Sequence, residues 1–373
     1  MSAWQYKQPV EILFKTGFLA EIGRFLEERR FKNGLLICDE FFISNGKADE
    51  IIAESNGRLT GIFSDIRPNP TIGNVDACIK TVEDANAEFA VAFGGGSVID
   101  CAKIACLLAK SNVPAALVHK GDAALPASGI PLIAIPTTAG TGSEVTGVSV
   151  LTDDTKGIKA PIAGDALYPK IAIIDPVQTI SLPASVTAAT GMDVLAHALE
   201  SFWSKNHQPI CDALAIEAAR LTLEALPVAF RDGSNLQART SMCEASLIAG
   251  LAFAVPKTAG AHACSFRLTN IYNMPHGEAC AFTLAAFTRI NSEAESGRLH
   301  WFAEKLGFAD AYKLADHIDK MKNEMGLKTT LSQAGISISG LPALAEKCRH
   351  PNLNNNPVAM SDNDIIAMFK TLA

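Results

Sequence analysis

An apolar run that passes through glycines into a helical pattern most constrains the fold: FAVAFGGGSVIDCAKIACLLAK, residues 89–110. A continuous apolar strand of this length is typical of a parallel sheet covered on both faces. Glycines at the turn let the backbone approach an anion, and the N–H groups of the helix start can bind it. The stretch therefore predicts a strand, a turn and a helix. The turn, with Gly95, Gly96 and Ser97, is either a phosphate-binding turn or only a tight connection.

Apolar runs recur up to about residue 182 and alternate with helical patterns, such as the one at 73–86. This alternation predicts a doubly wound α/β domain. The predicted strands are 10–14, 34–39, 59–64, 88–94, 131–137, 147–153 and 170–176.

The character of the chain changes after residue 185. Residues 186–373 show long helical periodicities and scarcely one convincing strand, which predicts a second, all-helical domain. We place the domain boundary between residues 182 and 183. The Asn-rich stretch 350–364 predicts a surface loop before a last short helix.

Charge and cysteine usage narrow the class of protein. The 373-residue chain has a formal charge of −7, which argues against nucleic acid or an anionic membrane as its main partner. Its apolar runs are too short to span a bilayer, and its N-terminal residues do not resemble a secretory leader. Nine cysteines without a CxxC motif indicate free thiols of a reducing compartment. We therefore expect a cytoplasmic enzyme.

Two features favour a nucleotide as ligand. Asp39 ends the strand 34–39, where a carboxylate can accept hydrogen bonds from a ribose diol and repel a 2′-phosphate, although an N-cap is the common alternative. The stretch IPTTAGTGSEVTGVSVLTD, residues 135–153, combines glycines and small hydroxyls that suit a loop around a pyrophosphate and a ribose, or else a flexible turn. Together they modestly favour a dinucleotide over a mononucleotide.

A carboxylate and three imidazoles form a candidate metal site. Asp193 and His197 are four residues apart on one face of a mostly apolar helix, where an uncompensated carboxylate is costly. His262 and His276 would complete a shell that suits Fe²⁺, Zn²⁺, Mn²⁺, Co²⁺ or Ni²⁺ rather than Ca²⁺. The alternative is a set of unrelated buried histidines. We assign no role to the other histidines, which are His119, His207, His300, His317 and His350.

Four motifs, in this order, resemble those of the iron-dependent (group III) alcohol dehydrogenase family over nearly the whole chain: FGGGSVIDCAK, IPTTAGTGSEVT, ATGMDVLAHALESF and NMPHGEACA. The resemblance implies a dehydroquinate synthase-like fold. In it, a Rossmann-like dinucleotide-binding domain, here 1–182, precedes an all-helical metal-binding and substrate domain, here 183–373. It implies hydride transfer between NAD(H) and a short-chain primary alcohol or aldehyde. It also implies a divalent metal, with Fe²⁺ expected and Zn²⁺ or another ion as alternatives, and a homodimer or larger homo-oligomer.

The resemblance also implies roles for individual residues. Asp193, His197, His262 and His276 would bind the metal and act in catalysis through it. Val148 and Phe253 would line the substrate pocket, and Asp39 is similar to members that prefer NAD over NADP. The implied cofactor contacts are Asp39, Asn69, Gly95, Gly96, Ser97, Thr137, Thr138, Thr141, Thr146, Lys159 and Leu182.

Phe266 and Arg267 depart from the family pattern. Phe266 stands where most members carry a histidine credited with proton relay, so the proton would come from water, a cofactor ribose hydroxyl or another side chain. Alternatively, Phe266 shapes an unusual substrate pocket, or it only packs against neighbouring side chains. Arg267 replaces a frequent proline and suits a sulfonate, phosphonate or carboxylate head group, as in sulfoacetaldehyde or phosphonoacetaldehyde, unless it forms a surface or inter-domain salt bridge.

Rival functions stay open at this point. A glycerol dehydrogenase-like activity or a lactaldehyde or diol reductase activity is an alternative within the same fold. A catalytically silent binder of metal and nucleotide is an alternative from a different class, since the relay histidine is missing. A metal-free maleylacetate reductase is disfavoured by the intact set of metal ligands.

Overall fold

The N-terminal half folds around a parallel sheet, as its continuous apolar strands predict. The computed structural model describes residues 3–155 and 157–373. Its strands are β1 (Glu11–Phe14), β2 (Gly34–Cys38), β3 (Leu59–Phe63), β4 (Phe89–Gly94), β5 (Leu132–Pro136), β6 (Val148–Asp153), β7 (Ile158–Ala163) and β8 (Ile171–Ile174). Within these described residues, six strands form one sheet in the order β1-β8-β5-β4-β2-β3.

The strand order reverses beside β2. The chain runs outward from β2 to β3 and then places β4 on the other side of β2. In open parallel sheets, ligands bind beyond the carboxyl ends of the strands at such a reversal. The helices of this half are α1 (Ile22–Glu28), α2 (Glu40–Ser44), α3 (Lys47–Glu54), α4 (Ile72–Asp84), α5 (Gly96–Leu108) and α6 (Ala115–Lys120).

Alternate residues of each strand enter two separate apolar cores. On β2, Leu35 and Ile37 pack in one core with α4 and α5, whereas Leu36 and Cys38 pack in the other with α1 and α3. Helices therefore cover both faces of the sheet, which confirms the doubly wound α/β architecture.

The strand predicted at 147–153 is present as β6, but it lies outside the parallel sheet. It pairs antiparallel with β7 in a two-stranded sheet. The sequence did not predict β7, because Pro161 interrupts the run IKAPIA and a proline within an apolar run argues against a strand.

The C-terminal half is helical, and its described residues from Ile180 onward contain no strand. The mostly apolar α7 is buried along nearly its whole length, as expected for a central helix. Gly191 lets α8 approach α7 closely, since a Cβ there would lie 2.3 Å from a methyl carbon of Leu226. The helices of this half are α7 (Ala184–Trp203), α8 (Pro209–Arg231), α9 (Leu236–Phe253), α10 (Gly260–Tyr272), α11 (His276–Ile290), α12 (Arg298–Lys305), α13 (Ala311–Glu324), α14 (Leu341–Lys347) and α15 (Asp362–Lys370).

The described residues divide into two units. An α/β unit contains residues 7–138 and 142–179, and a helical unit contains residues 3–6, 139–141 and 180–373. The domain boundary at residues 182/183 stays a prediction. None of the described helices combines the length and the apolar character that a membrane span requires.

Candidate functional site

One face of α7 carries three buried polar side chains. Asp193, His197 and Glu200 follow the helical spacing i, i+4 and i+7, and their exposed fractions are 2%, 5% and 0%. The surrounding helix is apolar, so both carboxylates are removed from water and need charged or hydrogen-bonding partners.

A glycine places His276 beside this face. The helix α11 begins at His276, directly after Pro275. A Cβ on Gly277 would lie 2.0 Å from the carbonyl oxygen of Ala189 and 3.0 Å from Cβ of Asp193. Only glycine therefore lets the first turn of α11 pack this closely against α7.

The four predicted metal ligands lie together within the helical unit. His262 Nε2 is 3.4 Å from Asp193 Oδ1 and 3.1 Å from His197 Nε2. The ring centroids of His262 and His276 are 5.5 Å apart. Asp193, His262, His276 and Cys280 each offer one ligand atom within 4.8 Å of the others, and His197 adjoins this group through His262.

The donor set fits a divalent cation. Two nitrogen or oxygen ligands of one ion can be at most about 4.2 Å apart, because each bond is about 2.1 Å long. The distances from His262 Nε2 to Asp193 and His197 are within this limit. Asp193 Oδ1 is buried and makes no well-formed hydrogen bond in the described part of the chain, which is costly unless a cation compensates the charge.

Glu200 orients His262, a role that the sequence did not suggest. Its Oε1 accepts the backbone N–H groups of Ala261 at 2.6 Å and His262 at 3.3 Å, and its Oε2 bonds Nδ1 of the His262 ring. Because Nδ1–H donates to a carboxylate, the neutral ring presents its Nε2 lone pair toward Asp193 and His197. The available signal was the spacing, since Glu200 lies seven residues after Asp193.

The pKa values of His197 and Asp193 agree with metal binding. Burial lowers the pKa of His197 to about 4, so its ring is neutral near pH 7 and can donate a lone pair. Burial alone would raise the pKa of Asp193. The neighbouring imidazoles of His197 and His262 outweigh this effect and hold the pKa below its usual range. Burial alone would lower the pKa of His262, but its acidic neighbours, with Cys280 and Glu200 first, outweigh burial and raise the pKa, so a cation that binds there displaces the ring proton.

Two aromatic side chains predicted to line the substrate pocket adjoin the metal ligands. The Phe253 ring stacks on His197, with ring centroids 4.2 Å apart. Phe266 is buried, and its ring centroid is 6.1 Å from that of His276 and 4.5 Å from that of His350. His350, for which the sequence indicated no role, therefore packs against Phe266. The sequence held no signal for this contact, because the two rings are 84 positions apart in the chain.

Arg267 lies close to His350, and a cavity lies beside Asp193 and His276. Arg267 donates Nε–H to the carbonyl of Lys347, the last residue of α14, at 2.9 Å. Burial and the positive charge of Arg267 lower the pKa of His350 to about 4. A cavity of about 560 Å³ in the helical unit is lined by Asp193, His276 and Thr141, among others. Its volume is typical of a small-molecule site.

The predicted cofactor residues of the α/β unit follow three neighbouring strands. Asp39 follows β2, Gly95–Ser97 follow β4, and Thr137–Thr138 follow β5. The reversal of strand order lies between β2 and β4, so these residues stand where parallel sheets bind dinucleotides. A Cβ on Gly95 would be 3.4 Å from the Thr138 side chain.

Two further predicted cofactor residues of the same unit, Asn69 and Lys159, connect to Ser97 by hydrogen bonds. The backbone N–H of Asn69 donates to Ser97 Oγ at 3.3 Å, and Lys159 Nζ donates to Asn69 Oδ1 at 2.7 Å. Asp39 also caps α2 by accepting the N–H of Phe41 at 3.1 Å, and burial raises its pKa. Asp39 therefore caps α2 and also lies at the end of β2.

A buried lysine that the sequence did not single out holds the loop around Thr146 and Val148. Lys103 Nζ donates to Ser143 Oγ at 2.9 Å and to the carbonyls of Thr146 and Val148 at 2.7 Å each. In the helical unit, the carbonyl of Leu182 accepts a hydrogen bond from Arg239 at 3.2 Å. The cofactor roles of Thr146 and Leu182 and the substrate role of Val148 stay predictions.

The fold and the site define a metal-dependent dehydrogenase class, and the family models agree. Residues 9–176 match the model "Iron-containing alcohol dehydrogenase", and residues 187–373 match "Fe-containing alcohol dehydrogenase family, C-terminal". The chain therefore belongs to the iron-containing alcohol dehydrogenase family.

Individual relatives cover the whole chain. The chain is 45% identical to the crystallised sulfoacetaldehyde reductase from Bifidobacterium kashiwanohense in complex with NAD⁺, with a TM-score of 0.97 over 100% of this chain and 99% of that one. It is 32% identical to 1,3-propanediol dehydrogenase of Klebsiella pneumoniae, with 98% of each chain covered. It is 31% identical to alcohol dehydrogenase 4 of Saccharomyces cerevisiae strain YJM789, with 98% of this chain and 97% of the relative covered.

Proposed function

We propose that this protein is an NAD(H)-dependent, metal-containing aldehyde reductase whose substrate is a short aldehyde with a sulfonate-like head group. The observation that carries the proposal is the likeness to sulfoacetaldehyde reductase, with 45% identity over the full length. Arg267, next in the chain to the buried Phe266, supplies a guanidinium that suits a tetrahedral anion.

The proposed metal ligands are Asp193, His197, His262 and His276. A divalent cation held by these residues would supply Lewis-acid polarisation of a carbonyl oxygen, and a nicotinamide held by the predicted cofactor residues would supply the hydride chemistry. NAD(H) is preferred over NADP(H), since Asp39 at the end of β2 repels a 2′-phosphate.

Neighbouring side chains orient the proposed metal ligands and form part of the apolar surroundings of the site. Glu200 fixes the tautomer of His262, and the Phe253 ring shields one face of His197 from water. Phe266 has no exchangeable proton, so the proton for the product hydroxyl comes from water, from a cofactor ribose hydroxyl or from another side chain. The buried Phe266 instead forms an apolar wall beside His276.

The test is NADH oxidation at neutral pH by the Zn²⁺- or Fe²⁺-loaded enzyme, with sulfoacetaldehyde, phosphonoacetaldehyde and propanal as substrates. We expect kcat/KM for sulfoacetaldehyde to exceed that for propanal by about tenfold or more, which is about 1.4 kcal/mol of transition-state binding. Equal values for the two aldehydes contradict the anionic substrate. Cofactor binding without any turnover would instead identify the protein as a silent binder.

A neutral alcohol or diol is the second candidate substrate class. The observation that favours it is the hydrogen bond of Arg267 to the Lys347 carbonyl, which gives this side chain a structural role. Propanol, 1,3-propanediol, lactaldehyde and glycerol in the same screen separate the two classes. A preference for one of these over sulfoacetaldehyde selects the neutral class.

We further propose a homodimer or larger homo-oligomer in the cytoplasm. Strand β1 forms one edge of the sheet in the described part of the chain, and an edge strand presents backbone groups that can pair with a second copy. Light scattering after gel filtration should give at least twice the monomer mass of 39.5 kDa. A monomer at micromolar concentration contradicts this proposal.

A further inference from the structure

We infer that Cys280 is an additional ligand of the metal centre, so that a sulfur donor joins the carboxylate and the imidazoles. This inference rests on the ligand set proposed above. Cys280 lies on α11 one turn after His276, and it is completely buried. Residues four apart on a helix share one face, so His276 and Cys280 project toward the same centre.

The distances allow Cys280 and His276 to bind one ion. Cys280 Sγ is 4.0 Å from His276 Nε2. A zinc–sulfur bond of about 2.3 Å and a zinc–nitrogen bond of about 2.1 Å limit this separation to about 4.4 Å in a common coordination sphere. The ligand atoms of Asp193, His262, His276 and Cys280 lie within 4.8 Å of one another, so small side-chain rotations close the shell.

An independent observation points to a cation among these four residues. Asp193 is 2% exposed, and its Oδ1 makes no well-formed hydrogen bond in the described residues, although His262 Nε2, a proposed ligand of the same ion, lies 3.4 Å away. By contrast, Cys264 is equally buried and only two residues from His262, but it is outside the group of ligand atoms. The position of its sulfur atom therefore distinguishes Cys280 from Cys264, since both are buried and both lie near a ligand along the chain.

A sulfur ligand changes which metals the centre prefers. A thiol binds as the thiolate, so a metal–sulfur bond forms and the thiol proton passes to solvent. Thiolate ligands favour Zn²⁺ and Co²⁺ over Mn²⁺ and Mg²⁺. The inferred centre is thus more thiophilic than one of a carboxylate and three imidazoles alone.

The test uses Co²⁺ as a spectroscopic probe of the full-length protein. We expect the metal-free protein to bind one Co²⁺ with visible d–d bands and a near-ultraviolet thiolate-to-cobalt charge-transfer band. Cys280→Ser should lose the charge-transfer band and keep the d–d bands. Cys264→Ser, the matched control, should keep both. Affinity for Zn²⁺ relative to Mn²⁺ should fall about tenfold in Cys280→Ser.

The outcomes separate this inference from the proposed function. Bound cobalt with d–d bands but no charge-transfer band overturns the inference and leaves the proposed function intact. A charge-transfer band that persists in Cys280→Ser also overturns it. Failure to bind cobalt or zinc at one ion per chain overturns both. X-ray absorption of the wild-type Zn²⁺ protein needs no variant and should show one sulfur neighbour at about 2.3 Å; only nitrogen and oxygen neighbours contradict the inference.

Discussion

The carboxylate of Glu200 ties His262 to α7. One oxygen accepts two backbone N–H groups from the first turn of α10, and the other bonds Nδ1 of the His262 ring. Asp193, His197 and Glu200 lie on one face of α7. Glu200 therefore contacts one nitrogen of the His262 ring, and Asp193 and His197 lie near the other.

Glu200→Gln should therefore weaken metal binding. The amide –NH₂ would donate to Nδ1 of His262, which moves the ring proton to Nε2 and removes the lone pair from the centre. We expect Zn²⁺ affinity, measured by competition with a chelator, to fall by about 10- to 100-fold. Glu217→Gln, at a half-exposed ion pair on α8, is the control and should leave the affinity unchanged. Equal affinities of Glu200→Gln and wild type would show that Glu200 does not orient the ligand.

Gly277→Ala tests the close contact between α11 and α7. The new Cβ would lie 2.0 Å from the Ala189 carbonyl oxygen, a backbone atom that cannot move alone. Overpacking of this kind costs about 1–3 kcal/mol, and urea unfolding should show this loss together with weaker metal binding. Gly73→Ala in α4 is the control. Its Cβ would meet its nearest neighbour at 3.4 Å, so we expect a change within about 1 kcal/mol. A Gly277→Ala protein as stable as wild type is incompatible with the described contact.

Much of the fold could be predicted, because buried parallel strands appear in sequence as continuous apolar runs. Six of the seven predicted strands lie in the main sheet, and α4 at Ile72–Asp84 matches the helical pattern at 73–86. The hairpin of β6 and β7 was not predicted, because Pro161 and the short alternation of β7 give no clear strand period.

The four proposed metal ligands of the candidate site were predicted from a pair on one helix, which His262 and His276 from two other helices complete. Asp193 and His197 stand four apart, and this spacing marks a common face. Contacts between residues distant in the chain give Glu200, Cys280 and His350 their roles. Glu200, for example, pairs with His262 across 62 residues of chain. Local periodicity carries no information about such pairs.

Arg267→Ala should discriminate between the two substrate classes. If the guanidinium binds an anionic head group, KM for sulfoacetaldehyde should rise about tenfold or more, whereas KM for propanal should change less than about twofold. Arg349→Ala removes an exposed guanidinium that pairs with Asp362 near the same end of α14, and it is the control. An equal change for both aldehydes eliminates Arg267 as the head-group ligand and leaves its hydrogen bond to Lys347 as its role.

Phe266→His should introduce a titratable group beside His276. The ring centroid of Phe266 is 6.1 Å from that of His276 and 4.5 Å from that of His350, so an imidazole at this position can exchange a proton where phenylalanine cannot. We expect the pH profile of kcat to gain a dependence below the usual histidine pKa of about 6.5, because the position is buried and burial disfavours the imidazolium. A matched variant, Phe266→Leu, keeps the site apolar and should retain the wild-type profile. An unchanged rate and pH profile in Phe266→His shows that this position does not govern proton delivery.

The buried Glu144 should make the free energy of unfolding depend on pH. Burial raises its pKa from 4.5 to about 7, so between these values the folded protein binds more protons than the unfolded chain. Stability therefore falls as the pH rises through this window, by an amount that approaches about 3 kcal/mol for a shift of this size. Urea unfolding of the wild type at pH 5 and pH 8 should show this fall, and Glu144→Gln should reduce it. Glu54→Gln, an exposed position on α3, should retain the wild-type dependence. A Glu144→Gln protein with the full wild-type loss of stability would place the titrating group elsewhere.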